Sequence, residues 1–118
     1  MRFRYSKIAH LNPGLPILVG TSSTALASIG DYESAIRLAE QVIATEEQTH
    51  GWSKAWYAMG ASKFLLGYEK EGIADLLIAT QKEPGSEGAW GAHSTLSRIY
   101  RDRGDIESAE FHEQMASQ

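Results

Sequence analysis

Four histidines, a serine–threonine run and several acidic clusters are the places in this chain where bond-making chemistry could reside. A helical metal site of the His-Glu-x-x-His kind needs two imidazoles one turn apart. His10, His50, His93 and His112 offer no such spacing, and His112-Glu113, being adjacent, point in different directions from a helix. These histidines read as solvated surface residues. A serine nucleophile requires a strand-turn-helix elbow, which Ser22-Ser23-Thr24 lacks; that run reads as a loose first turn or capping segment. Glu46-Glu47 and the Glu69/Glu71 pair read as solvated helix ends. Gly85-Ser86-Glu87-Gly88 reads as a loop, because no Gly-Lys-Ser/Thr ending makes it a phosphate cradle. The chain has no cysteine, which excludes disulfides, thiolate nucleophiles and thiolate metal sites. These residues predict a chain that is not an enzyme and uses neither metal nor cofactor.

The elements that carry these residues follow from a repeat. Gly30-Asp31-Tyr32-Glu33-Ser34-Ala35, Gly67-Tyr68-Glu69-Lys70-Glu71-Gly72 and Gly104-Asp105-Ile106-Glu107-Ser108-Ala109 begin at intervals of 37 residues, each with a small residue five places after its first glycine. Self-similarity at such a period marks stacked supersecondary units. Trp52, Ala55, Trp56, Met59, Gly60 and Phe64 recur at helical spacing before Gly67, and Ile73, Leu76, Leu77 and Ala79 resume after it. Trp90, Leu96, Ile99 and Tyr100 precede Gly104, with Ile106, Ala109 and Met115 beyond. Leu18, Val19, Ala25, Leu26 and Ile29 lead to Gly30, and Ile36, Leu38, Ala39, Val42 and Ile43 follow. Each unit therefore predicts two antiparallel helices joined by a turn at its glycine, with Asp105 placed to cap the helix after it. Gly60 and Gly72 are expected where the two helices of a pair cross closely. Trp52, Trp56 and Trp90 read as core.

At 118 residues the chain bounds one compact domain. A net charge of −4 argues against nucleic-acid binding, which rests on a basic footprint. No stretch approaches the roughly 18 apolar residues of a membrane span. Met1-Arg2-Phe3-Arg4 is followed by no signal-length apolar core, since Asn12, Pro13 and Gly14 interrupt it. A cytoplasmic location away from membranes is expected.

These residues resemble the tetratricopeptide repeat family. Trp56-Tyr57-Ala58-Met59-Gly60 resembles its Trp-x-x-Leu-Gly opening; Gly67 stands at the turn, Gly72 at the usual alanine, Leu76 at the aromatic place, then Ala79 and the closing Pro84. The third copy matches through Leu96, Tyr100, Gly104, Ala109 and Ala116, with Glu113 where the family has an apolar residue. The first matches through Leu26, Gly30, Ala35, Ala39 and Val42, with Ser22-Ser23 in place of leucine-glycine. Residues 5–14, ending Leu11-Asn12-Pro13-Gly14, are similar to the second half of an earlier repeat. The resemblance implies an all-α, right-handed solenoid of antiparallel helix pairs: a partial repeat over 1–14, then repeats over 15–48, 49–86 and 87–118. Its spacing of 37 exceeds the family's 34 by about three residues per unit.

The family's groove-lining face falls here on Lys54, Tyr57, Ala61, Phe64, Ser94, Arg98 and Arg101. By spacing, Lys54, Tyr57 and Ala61 share one face, as do Ser94, Arg98 and Arg101. This face reads as locally basic and suited to an acidic peptide or a C-terminal carboxylate. Internal pairing of Arg98 and Arg101 with Asp102, Asp105 or nearby glutamates is an alternative that the sequence leaves open. The leading expectation is a protein-interaction scaffold that binds a peptide or partner helix in the groove. A self-assembly module, homodimeric through open solenoid ends, and a non-catalytic appendage of a larger enzyme or regulator stand beside it.

Overall fold

The computed structural model of the chain describes residues 26–44 and 52–117. The partial repeat over 1–14, Ser22-Ser23-Thr24, Glu46-Glu47, His10 and His50 lie outside the described residues. Within them the chain is helical, with no strand: helical residues 26–28 are followed by α1 (Tyr32–Ile43), α2 (Trp52–Leu65), α3 (Glu69–Lys82), α4 (Glu87–Asp102) and α5 (Ile106–Ala116). No helix among the described residues is long and apolar enough to cross a membrane.

The predicted turns fall at Gly30, Gly67 and Gly104, whose φ angles of 88°, 104° and 82° belong to the left-handed region that favours glycine after a helix. The residue after each glycine is the N-cap of the next helix. Asp31 Oδ1 accepts a hydrogen bond from the Ser34 amide at 3.4 Å, and Asp105 Oδ1 one from the Ser108 amide at 3.2 Å. These bonds satisfy amides that a helix's first turn leaves free. Tyr68 holds the same place before α3 with a near-identical backbone but makes no side-chain cap.

α2 and α3 form an antiparallel pair locked at three levels. Ser53 Oγ donates to the Ala79 carbonyl at 3.0 Å, and the Ser53 amide donates to Glu83 Oε1 at 2.9 Å. Further along, Gly60 and Gly72 face one another: a Cβ on Gly60 would lie 2.8 Å from the Gly72 carbonyl oxygen, and one on Gly72 would lie 2.7 Å from the Gly60 oxygen. The expected close crossing is therefore present. α4 runs parallel to α2 and packs against both α2 and α3, with Gly88 against the Ser53–Lys54 backbone and Gly91 beneath the Tyr57 ring.

Two apolar clusters hold these layers. Leu26, Ala35, Leu38, Ala39 and Val42 pack with Ala55 and Met59. Leu76, Ala79, Ala92, Leu96 and Ile99 form the second, and Trp56 packs against both. Two sequence expectations need correction. Trp90 is 58 % exposed rather than core, because the helices that bury α4 lie along its Gly88, Gly91 and Ala92 side. Gly88 is not in a loop but is buried in the first turn of α4, whose cap is Ser86 accepting from the Ala89 amide at 3.2 Å. Ile106 and Met115 of α5 are exposed; the buried residues of that helix are Ala109 and His112.

Candidate functional site

Side-by-side packing of α2 and α4 leaves a groove of about 570 Å³, lined by Tyr57, Ala61, Phe64 and Leu65 of α2, Thr95, Arg98, Ile99 and Asp102 of α4, with Glu69 at the start of α3 and Arg103 at the end of α4. Its floor is apolar for a local reason. Gly91 has no side chain, so the Tyr57 ring lies against α4, 3.0 Å from where a Cβ would stand. Four of the residues expected from the sequence, Tyr57, Ala61, Phe64 and Arg98, are brought together here. Ser94 and Arg101 line a neighbouring cleft of about 440 Å³ with Trp90 and Glu113, and Arg98 borders both. Lys54 lines neither cavity.

The expected basic face does not survive the pairing of its cations. Lys54 Nζ is 2.9 Å from Glu87 Oε2, and Arg101 is 3.2 Å from Glu113 of α5. A hydrogen bond from Lys54 holds the Glu87 carboxyl below its usual range. Arg103, absent from the sequence reading, pairs with Glu69 at 2.5 Å and sits over the Phe64 ring. The groove wall thus carries two arginines and two carboxylates, not a cationic surface. Arg98 alone among these cations has no ion pair among the described residues. Of the two alternatives for the arginines, internal pairing holds for Arg101, though with Glu113, and Arg98 stays uncommitted.

Sequence reasoning missed a second constellation. His93 and His112, read as surface residues, are buried at 8 % and 6 % exposure, with their Nδ1 atoms 2.9 Å apart. Tyr100 stacks on the His112 ring at 5.6 Å, and Phe111 meets it edge-on at 5.0 Å. Burial pushes both imidazoles below their usual pKa, and His93 lowers His112 further. One neutral ring must donate Nδ1–H and the other accept at a bare Nδ1. Neither ring belongs to a group of three or more histidines and carboxylates among the described residues, whereas structural zinc takes four protein ligands.

The repeat itself held the missing signal. Leu38, Asp75 and His112 occupy one register position, 37 residues apart, and all three are buried. The position faces inward in each unit, so an ionisable residue there is enclosed whatever its type. Asp75 lies 3.0 Å from Lys63 Nζ. Burial nonetheless pushes its carboxyl above the usual range, against the opposing pull of Lys63. No protein-family model, curated protein or solved structure matches this chain.

Proposed function

We propose that this chain is an interaction module of the tetratricopeptide type, a right-handed helical solenoid that holds an extended peptide or a partner helix in the groove between α2 and α4. The observation that carries the reading is the groove itself: an apolar floor of Tyr57, Phe64, Leu65 and Ile99 bordered by the uncommitted Arg98. Apolar side chains of a ligand would fill the floor, and a ligand carboxylate would meet Arg98, which has no ion pair among the described residues. Tyr57 adds contact area at little entropic cost, being already held against Gly91. The Arg103–Glu69 ion pair at the groove's edge shapes the rim more than it attracts, since exposed pairs are worth about 0–1 kcal/mol. The module performs no chemical step.

The test uses short synthetic peptides, apolar with and without acidic residues, presented to the intact chain. Arg98→Glu should abolish binding of the acidic peptides while leaving the melting temperature in place. Unchanged affinity in that variant would end the groove reading. A second reading, self-assembly, is favoured by one specific observation: Trp90, Ile106, Phe111 and Met115 are all exposed on α4 and α5. Light scattering over a concentration series separates the two, because a monomer at all concentrations removes the second.

A further inference from the structure

The His93–His112 contact joins α4 to the described helix with the fewest buried residues to hold it. Among α5 residues only Ala109 and His112 are buried, and one of them is an ionisable ring. We propose that this contact is an acid-sensitive latch, which holds α5 against α4 while at least one ring is neutral and releases it when both are protonated. The latch stands whether or not the groove binds a peptide.

The chemistry of the 2.9 Å Nδ1–Nδ1 contact sets the order of events. The ring that donates Nδ1–H has its lone pair at Nε2, so the first proton enters there and the hydrogen bond persists, now charge-assisted. The acceptor ring already bears Nε2–H, so its only basic site is the Nδ1 engaged in that bond. A second proton must therefore break the contact and leave two N–H donors and two cations face to face. The cavity of about 440 Å³ lined by Pro84, Ala89, Trp90, His93 and Met115 gives water a route to the His93 side of the pair.

No carboxylate among the described residues offsets this charge. From α4, Glu87 borders the same cavity but is held by Lys54 of α2, and Arg101 is held by Glu113. From α5, Glu113 is thereby engaged, and Glu107 and Glu110 are exposed. From the end of α3, Lys82 lies over the Trp52 ring and Glu83 accepts from the Ser53 amide. Tyr100 stacks on His112 and contributes no charge. Burial depresses both imidazoles, in line with a site that resists the second proton until α5 moves. Release of α5 would also separate Glu113 from Arg101, changing the charge beside the cleft those residues line.

Hydrogen exchange of the whole chain, corrected for the intrinsic pH dependence of exchange, tests the latch at about pH 7.5 and about pH 5, on either side of the ordinary histidine range. Amides of α5 should lose protection at least roughly tenfold relative to those of α2 and α3 in acid, since the two buried imidazoles lie at the contact between α4 and α5 and not on α2 or α3. An unchanged ratio between α5 and the other helices overturns the proposal. His93→Asn, whose amide can donate to His112 without titrating, should remove most of the acid loss; a loss equal to the parent's also overturns it. Should that variant not fold, the imidazole C2–H resonances of the parent decide. Midpoints below the ordinary value of 6.5, coincident with the shift of α5 amides, support the latch. Free titration at that ordinary value with α5 unmoved sinks it.

Discussion

Gly60 and Gly72 present backbone to backbone, so any side chain at either position must push the helices of that pair apart. Alanine is the better helix former by about 1 kcal/mol, yet Gly60→Ala should destabilise by about 1–3 kcal/mol, because the obstacle is a carbonyl 2.8 Å away rather than a movable side chain. Denaturant midpoints of parent and variant check this, and a stabilised variant would refute the crossing. Asp75 makes the opposite case. Its buried carboxylate pairs with Lys63, but desolvation dominates and raises its pKa. A group whose folded pKa exceeds its unfolded value of 3.8 opposes folding above that value, and the penalty fades as pH falls. Asp75→Leu copies the residue found at Leu38 in the first unit; made together with Lys63→Met, so that no half-buried cation loses its partner, it should be neutral to stabilising by up to about 1–4 kcal/mol at neutral pH. The gain should shrink in acid, as thermal melts at several pH values would reveal.

The helix starts form a natural comparison at the scale of elements. Asp31, Tyr68 and Asp105 occupy equivalent places with φ near −88° and ψ between 68° and 78°, but only the two aspartates cap. Hydrogen bonds from Ser108 hold the Asp105 carboxyl below its usual range, so its cap is charged at neutral pH. Tyr68→Asp should supply the missing cap to α3 and stabilise by about 0.5–2 kcal/mol, read from the denaturation midpoint. Asp105→Ala should cost a similar amount. The caps and glycine turns were legible in the sequence because they are local: a glycine and the residue after it decide both. The fate of Trp90 was not, because spacing places it on a helical stripe but cannot say whether another helix covers that stripe. His93 and His112 were missed for a related reason. Nineteen residues separate them, and only the hairpin at Gly104 brings their faces together.

At the scale of the molecule, four of the expected groove residues share one cavity, while Lys54, Arg101 and Arg103 are ion-paired. Tyr57, Ala61, Phe64 and Arg98 line that cavity, whereas the acidic partners of Lys54, Arg101 and Arg103 lie on neighbouring helices and turns, beyond the reach of a count along one helix. Folding stability should also depend on pH in a direction fixed by the buried histidines. Their folded pKa values lie below 6.5, so the folded state binds fewer protons than the unfolded chain. Stability is complete above that value and is lost as pH falls through it. The melting temperature should drop between about pH 7.5 and about pH 5.5, and His112→Leu, again copying Leu38, should flatten the profile. A parent melting temperature that rises on acidification would contradict this.

Gly88 touches a neighbouring unit rather than its own. A Cβ there would meet the Lys54 amide nitrogen and lie 2.5 Å from the Ser53 carbonyl carbon, so one absent methyl fixes how near α4 can come to α2. The groove opens between these same two helices, and its width is therefore governed by an atom that is missing at its far end. A substitution at Gly88 would act as a wedge, tilting one helix pair against the next and reshaping the groove without altering any residue that lines it.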